Sequence, residues 1–484
     1  MQTTPATTRS SRNPSPSRRC RSTQRRWPSP LFWGRSLPYW SSLRTRLTSG
    51  RQAIFCQSII LGLNGALQTL VSQSFGAGNI RECGIILNRG RIVAFLAFIP
   101  IVIILCLCEP FMLAVGMDPI ASEYASTYTY FLIPAMFFHS QFDATRQYLN
   151  SQNKAQMVMY TMIVTSMLHF VWLEVFVKSW GWDIYGISLA TIITYFSNFA
   201  AITAFCLWDK EVRKSFFWFT KESSQDLKGY LKVGIPSTTM LCLEWWSFEV
   251  LAFMAGYISV SALSAHVVVL NTHVLLIMVP LGAQVAATVL VGQAMGEGNH
   301  RKANQYFKLV ALYNLILNGL IAVWMHVDRE GLADIFTSEE NAGALKPMIM
   351  EAYSIDALIL IFHGLAMVQA GAVRGLGMLE LATWMVLIAF YLVALPAAYL
   401  FAFPFNMGMP GLWWGVVTGG IAEIALYVII LRYFCNWKAL AVKISMELKE
   451  GGNMLMSPNM SMNRSISKGL KEPLMDQERR HAIN

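Results

Sequence analysis

The residues best suited to chemistry lie in the stretch Cys242–Glu249, whose sequence is Cys-Leu-Glu-Trp-Trp-Ser-Phe-Glu. This stretch places Glu244 and Glu249 inside an apolar run from about residue 231 to residue 256. About 20 apolar residues form a helix that crosses a bilayer, and an ionised side chain near its centre costs about 2.5–3.5 kcal/mol. An acidic residue is most readily retained at such a position, despite this cost, where its carboxylate binds a cation or carries a proton. A carboxylate that is hydrogen-bonded inside a helix bundle, with no transport role, is the alternative.

The neighbours of Glu244 fit the binding of a cation. The faces of Trp245 and Trp246 could attract an organic cation by roughly 0.5–2 kcal/mol, although packing or contact with lipid fits either indole equally well. Glu249 lies about 140° around the helix from Glu244 at 3.6 residues per turn, so the two carboxylates need not line one pathway. If a proton and a cation compete for Glu244, the binding of one releases the other.

Other polar residues inside apolar runs are further candidates for a binding cavity. They are His273 and Asn271, which share a predicted helix with His266, and, in the first half of the chain, Asn64 and Gln73. The residues near His273 could line a cavity or hydrogen-bond between helices, and the structural role is favoured. We interpret Asp143 and Arg146 as an intrahelical ion pair. No role is assigned to Glu351, Asp356 or Glu423.

The composition is that of a membrane protein. The 484 residues are 55% hydrophobic and 14% charged, with a mean hydropathy of +0.43, whereas soluble domains carry about 25% charged residues. The formal net charge is +10, but the basic residues form no single patch, so no nucleic-acid partner is predicted. The eight cysteines show neither metal-ligand spacing nor the pattern of a disulfide scaffold, and no cofactor is predicted.

The apolar runs predict eleven membrane-spanning helices and an all-α, polytopic membrane protein. The helices are expected near residues 54–75, 92–116, 124–147, 156–178, 184–207, 231–256, 262–291, 307–328, 349–373, 381–403 and 411–434. Arginine and lysine are concentrated in alternate gaps, which the positive-inside rule places in the cytoplasm. The same rule puts the N-terminal segment on the far side of the membrane.

That N-terminal segment is unusual, because residues 1–51 contain eleven arginines and no Lys, Asp or Glu. An organelle transit peptide, a basic disordered tail, and a sequence foreign to the ancestral fold are three interpretations. We favour the third, because a missing first helix would also resolve the conflict of charges.

An internal repeat supports two pseudo-symmetric helix bundles. Residues 72–81 resemble residues 292–301, with Gln, two Gly, Asn and Arg matching at an offset of 220. The predicted division is an N-terminus at 1–52, a first bundle at 53–207, a cytoplasmic linker at 208–230, a second bundle at 231–436 and a disordered cytoplasmic tail at 437–484. Each Gly-x-Gly-Asn is expected to end a helix with a left-handed glycine.

Four motifs together resemble those of the multidrug and toxic compound extrusion (MATE) family, most closely its plant-type branch. They are the stretch Cys242–Glu249, Val279-Pro280-Leu281-Gly282, Gly296-Glu297-Gly298-Asn299 and Arg374-Gly375-Leu376-Gly377. The resemblance covers about residues 54–443. It implies a two-lobed, twelve-helix antiporter that exports organic cations or other small metabolites in exchange for protons or, less often, sodium.

The resemblance also implies roles for particular residues. The family's acidic positions fall on Glu244 and Glu249, and the acidic position of the animal members in the next helix is occupied by Asn271. Two departures stand out. His363 occupies the acidic position of the tenth helix, where an imidazole that titrates near pH ~6.5 could serve proton coupling. The family's first helix, which contributes to the cavity of the first bundle, has no counterpart in this sequence.

The sequence therefore predicts a monomeric, proton-driven antiporter in the plasma membrane or in a vacuolar or other endomembrane, with a small-molecule substrate. Three alternatives are retained. A lipid or lipid-linked sugar flippase would need a strongly basic cavity, and a membrane-embedded enzyme would need a catalytic motif that is not found. The third is a truncated isoform without activity.

Overall fold

The computed structural model describes residues 38–114, 119–337 and 342–450, with side chains from residue 57 onward apart from a few positions near helix ends. These residues form helices joined by short turns, and no strand occurs among them. Helices satisfy every backbone hydrogen bond within one segment, which is why apolar runs of this length adopt them in a bilayer.

The first bundle contains six helices. They are α1 (Pro38–Gly76), α2 (Ile80–Cys106), α3 (Cys108–Ala114), α4 (Pro119–Asn150), α5 (Ala155–Leu173) and α6 (Asp183–Trp208). A π-helical turn, Glu174–Ser179, extends α5. Two short 3-10 helices, Val212–Lys214 and Lys221–Ser224, lie in the linker that follows α6.

The second bundle and the segment after it contain ten helices. They are α7 (Leu227–Ile258), α8 (Val260–Leu276), α9 (Met278–Gly296), α10 (His300–Val327), α11 (Arg329–Phe336), α12 (Ala342–Gly375), α13 (Leu379–Val386), α14 (Leu395–Ala402), α15 (Gly408–Ile429) and α16 (Trp437–Glu450). A π-helical segment, Leu387–Ala394, joins α13 to α14, and another, Ile430–Phe434, extends α15.

All eleven predicted membrane segments are helical over the residues that the structure describes. Within the described ranges, nine segments are long and apolar enough to cross a membrane, and α1 and α4 add two helices of 39 and 32 residues. The predicted helix 262–291 is divided into α8 and α9. The division has a physical cause, because the ring of Pro280 clashes with the carbonyl four residues earlier, at Leu276, where α8 ends.

Helix α2 begins twelve residues before the predicted start at residue 92. The prediction followed the apolar run and stopped at its charged residues. In the structure Arg89 forms an ion pair with Glu82 at 3.0 Å, and the Arg91 guanidinium donates to the hydroxyl oxygen of Thr145 at 2.8 Å. These partners allow the helix to continue through its charged residues.

Two predicted irregular segments are partly helical. Residues 38–52, which the sequence assigned to an irregular N-terminus, are the beginning of α1, and Pro38 is its first residue. The predicted disordered tail begins with α16, whose Ala441 and Ile444 are buried against the second bundle. Burial of this apolar face explains the helix. The expectation of a missing first helix falls on residues 1–37, outside the described residues.

The two repeat turns have the same conformation. Gly78 and Gly298 have φ of 81° and 79°, as predicted for left-handed glycines that end α1 and α9. The two asparagines that follow differ. Asn299 caps α10 by accepting from the Lys302 N–H at 3.1 Å, whereas Asn79 donates to the Leu448 carbonyl of α16 at 2.6 Å. Helix α16 thus connects the two bundles.

The two bundles meet where α1 and α9 cross at their C-terminal ends, which we name the crossing. A Cβ on Gly76 would lie 2.0 Å from the Gln293 carbonyl oxygen, and a Cβ on Gly296 would lie 2.0 Å from the Gln73 carbonyl oxygen. Only glycine permits this approach of two backbones. The crossing lies at the end of the molecule that carries the two repeat turns, the linker after α6 and α16, which we name the basic face.

Candidate functional site

Glu244 lies halfway along α7 and faces the interior of the second bundle. Asp226 caps the N-terminus of α7, because its side chain accepts from the Gly229 N–H at 3.1 Å. Glu244 lies 18 residues after Asp226. One carboxylate oxygen of Glu244 lies 3.5 Å from Nε2 of His363 on α12. The Glu244 side chain is 13% exposed, and that of His363 is 2% exposed. Glu244 is therefore the part of this pair that solvent can reach.

A second carboxylate and imidazole pair lies deeper in the bundle. His273 Nδ1 on α8 and Oδ1 of Asp356 on α12 are 2.6 Å apart, and both side chains are almost fully buried. Asp356 and His363 are seven residues apart on α12, two helical turns, so they lie on the same face of the helix. The sequence alone assigns no role to Asp356.

The two imidazoles connect the two pairs. The rings of His273 and His363 are nearly parallel, with centroids 6.4 Å apart and an interplanar angle of 19°. Their other nitrogens, His273 Nε2 and His363 Nδ1, are buried and have no hydrogen-bond partner among the described residues. The order Asp356, His273, His363, Glu244 forms an array that leads from the interior of the bundle to its accessible surface.

Aromatic side chains surround the array. Phe390 lies edge-on to His363 at 5.6 Å between ring centroids, and Phe248 lies 5.6 Å from His273. Trp413 lies edge-on to His273 at 5.9 Å. Because these rings are apolar, charges in the array interact through a medium of low dielectric constant, in which electrostatic interactions are strong.

Glu423 and Arg374 complete the charged cluster. Glu423 on α15 is 3% exposed and interacts electrostatically with His363 and Glu244. Arg374, near the end of α12, interacts electrostatically with Glu244 and donates to Ser237 Oγ at 2.9 Å. Carboxylates therefore outnumber guanidinium groups in the cluster by three to one, which suits cations and protons rather than anionic head groups.

The structure brings together some of the predicted site residues and not others. Glu244, His273 and His363 share the array. Trp245 is 36% exposed on α7, and Trp246 and Glu249 are partly buried beside it. Asn271 is exposed, about 200° around α8 from His273 at 100° per residue. These four residues lie outside the array.

The two first-bundle candidates occupy different environments. Asn64 is buried within the bundle, where its amide donates to Asp143 Oδ2 at 3.0 Å and to the Ser140 carbonyl at 3.1 Å. Gln73, also predicted to line a cavity of the first bundle, is buried at the crossing. Its amide donates across the crossing to the Gly375 carbonyl at 2.9 Å. Periodicity identifies a buried face but not the bundle that buries it.

The interpretation of Asp143 and Arg146 as an ion pair is correct, because Arg146 Nε donates to Asp143 Oδ1 at 3.0 Å. Asp356 and Glu423 are the acidic residues that the sequence reasoning missed. The seven-residue spacing between Asp356 and His363 was the available signal for Asp356.

Among the described residues, no group of three or more His, Cys, Asp or Glu side chains could hold a metal ion.

Comparison with known proteins gives consistent matches over most of the chain. A family model described as MatE matches residues 50–173 and 236–400. Multidrug and toxin extrusion protein 1 of Danio rerio is 30% identical over 381 residues, which cover 79% of this chain and 64% of that protein. Protein DETOXIFICATION 16 of Arabidopsis thaliana is 28% identical over 408 residues, covering 82% of this chain and 81% of that protein.

The same fold occurs in solved structures. The crystal structure of the eukaryotic MATE transporter AtDTX14 matches with a TM-score of 0.76 and 24% identity, over 85% of this chain and 94% of that chain. The crystal structure of a mutant of the Vibrio cholerae MATE transporter VcmN matches with a TM-score of 0.74 and 17% identity, over 84% and 91% of the two chains. The chain spans slightly less than two thirds of the Danio rerio relative.

Proposed function

This chain belongs to the MatE family of multi-pass membrane transporters, and we propose that it is an antiporter that exports organic cations in exchange for protons at Glu244. The observation that carries the proposal is the pair formed by Glu244 and His363, with 3.5 Å between the two groups. It combines a partly exposed carboxylate with an imidazole inside an aromatic enclosure. The name of the Danio rerio relative, multidrug and toxin extrusion protein 1, supports export as the direction of transport.

The exchange follows from the charge of one carboxylate. Protonated Glu244 is neutral and attracts no cation. When a cation approaches, the carboxylate gives up its proton, and the cation neutralises it in place of the proton. His363 can accept a hydrogen bond from the protonated acid at Nε2, or donate one to the carboxylate after a change of tautomer. The imidazole thereby stabilises both states of Glu244.

Alternating access is supported by the position of the crossing. We propose that residues 53–207 and 231–436 move as two lobes, connected by residues 208–230, with the basic face in the cytoplasm. The two lobes are in contact at the crossing and again at the side chains of Ser58 and Cys242, where Oγ and Sγ are 3.3 Å apart. This contact closes the basic face beneath Glu244. Its opening would expose Glu244 to the cytoplasm.

A flippase is less well supported, because the cluster around Glu244 is acidic where anionic head groups would require basic residues.

The proposed exchange of organic cations for protons is tested with the full-length protein in proteoliposomes loaded with a fluorescent organic cation such as ethidium. Under an imposed pH gradient, the native protein should transport ethidium, and Glu244→Gln should not. Glu351→Gln, at an exposed position of α12, is the matched control and should transport normally.

Two results would contradict the proposal. One is ethidium transport by Glu244→Gln at the native rate and with the native dependence on pH. The other is transport by the native protein that is unchanged when the pH gradient is collapsed. Equal amounts of protein in the membranes, measured by fluorescence of a fused tag, ensure that the comparison concerns activity and not insertion.

A further inference from the structure

The His273–Asp356 pair is not needed for a simple competition at Glu244, yet the structure holds it beside that site. Its two atoms are 2.6 Å apart and its side chains are almost fully buried. A buried carboxylate is costly unless it is paired or protonated. Such a pair bears one negative charge when the imidazole is neutral, and it is neutral overall when one proton is added.

The charge of the whole cluster indicates how many positive charges it must hold. Within this cluster of described residues, ionised Asp356, Glu244 and Glu423 are opposed by Arg374, so two negative charges are in excess. In an apolar enclosure an uncompensated charge is strongly disfavoured. The cluster is neutral with two protons, with one proton and a monovalent cation, or with one divalent cation.

Resting on the proposed function, we propose that the His273–Asp356 pair is a second proton-binding element of the exchange site. The cluster then releases as many protons as the entering cation carries positive charges. One proton is held at Glu244 with His363, and the other is held at His273, where Asp356 balances the imidazolium. A monovalent cation displaces the first proton, and a divalent organic cation displaces both.

The second proton has a path through the array. It leaves Nε2 of the His273 imidazolium for Nδ1 of His363, and His363 releases a proton from Nε2 toward Glu244 and the accessible surface. The net loss of one proton leaves His273 neutral beside ionised Asp356, and it leaves His363 neutral with its remaining proton on Nδ1. An exchange of tautomer then restores that proton to Nε2. The two ring nitrogens that face this transfer have no other partner among the described residues, and a water molecule can bridge two polar groups of this kind.

Other titratable groups on the helices packed around His273 must be considered. They are Glu244 and Glu249 on α7, His266 on α8 itself, Tyr353, Asp356 and His363 on α12, Tyr391 in the π-helical segment after α13, and Glu423 and Tyr427 on α15. Tyr353 is bound to Thr272 at 2.8 Å, and the His266 ring lies against Trp413. Glu423 is the main rival for the second proton, because it is buried and interacts electrostatically with His363 and Glu244.

The test uses the purified full-length protein and two probes, the monovalent cation tetraphenylphosphonium and the divalent cation methyl viologen. Calorimetry in buffers of different ionisation enthalpy gives the number of protons released per bound cation. Near pH ~6, below the ordinary pKa of imidazole, the native protein should release about one proton for the monovalent probe and about two for the divalent one.

Two variants separate the second proton from the first, and a third serves as their control. In His273→Asn the amide nitrogen replaces Nδ1 as donor to Asp356 but does not titrate, so both probes should release about one proton. Asp356→Asn, which keeps an oxygen acceptor, should give the same result and carries the test if His273→Asn does not fold. His266→Asn is the matched control on α8 and should preserve the native difference between the probes.

Three outcomes overturn the inference. The first is equal proton release for the two probes in the native protein. The second is the release of two protons per methyl viologen in both His273→Asn and Asp356→Asn. The third is loss of the second proton in Glu423→Gln but in neither of those two variants. A different outcome would reject the exchange site itself, and the inference with it. In that case the native protein binds both probes without releasing protons, and Glu244→Gln binds them as the native protein does.

Discussion

Gln73 and Gln293 occupy equivalent positions in the two repeats, and each donates a hydrogen bond to the opposite bundle. Gln73 Nε2 donates to the Gly375 carbonyl at the end of α12, and Gln293 Nε2 donates to the Ser151 carbonyl just after α4, both at 2.9 Å. Gln293 also donates to Asn153 Oδ1 at 3.2 Å. The two glutamines therefore hold the crossing together from both sides with the same chemistry.

The first prediction concerns these two bonds. Gln73→Ala combined with Gln293→Ala should favour opening of the basic face, because each buried bond contributes about 0.5–1.5 kcal/mol and its loss leaves a carbonyl without its donor. Spin labels at the exposed residues Lys221 and Arg301 should report a larger population of long distances. Gln225→Ala, at an exposed linker position, is the control. An unchanged distance distribution in the double variant would show that the glutamines do not hold the face closed.

The second prediction concerns the close approach of backbones at the crossing. Gly296→Ala should prevent full closure, because its Cβ would lie 2.0 Å from the Gln73 carbonyl oxygen, and overpacking costs about 1–3 kcal/mol or more. Transport should fall strongly while insertion is preserved. The matched control is Gly282→Ala on the same helix, where an added Cβ meets nothing within 4 Å. Equal transport by the two variants would contradict a closed crossing as part of the cycle.

The third prediction concerns the linker and its dependence on pH. The Val212 N–H, the Glu211 N–H and the Lys154 ammonium lower the pKa of the Asp209 carboxyl. A group whose pKa is lowered by folding stabilises the fold above its unfolded pKa of about 3.9, and this contribution is lost as the pH falls through the folded value. Asp209→Asn should therefore lower the Tm at pH 7, and the difference from the native protein should shrink on acidification. A difference that stayed constant from pH 7 to about pH 3 would contradict this cause.

The sequence was sufficient to predict the membrane helices and the position of Glu244 in the middle of one of them. Apolar length alone indicates a membrane helix, and a carboxylate in its middle is visible without any partner. The repeat at an offset of 220 also predicted the left-handed turns at Gly78 and Gly298, because that conformation depends on local sequence.

The partners of the site were harder to predict. His273 and Asp356 are 83 residues apart in the chain and adjacent in space, and no local pattern contains that contact. The exposure of Asn271 depends on the rotation of α8 about its axis, and that rotation is set by packing against α7 and α12. The helix at Trp437–Glu450 forms because the second bundle covers its apolar face, where Ala441 and Ile444 lie. The helical spacing of its apolar residues was the available signal for this helix.

The central claim is that a proton and a cation compete for Glu244. The most direct measurement is the affinity for tetraphenylphosphonium across a range of pH, in the native protein and in Glu244→Gln. Competition for one group predicts that the native Kd rises about tenfold for each unit of acidification below the pKa of the site, and that the Glu244→Gln Kd is weaker and independent of pH over that range. A Glu244→Gln protein that binds the cation with the native affinity and the native dependence on pH would contradict the account.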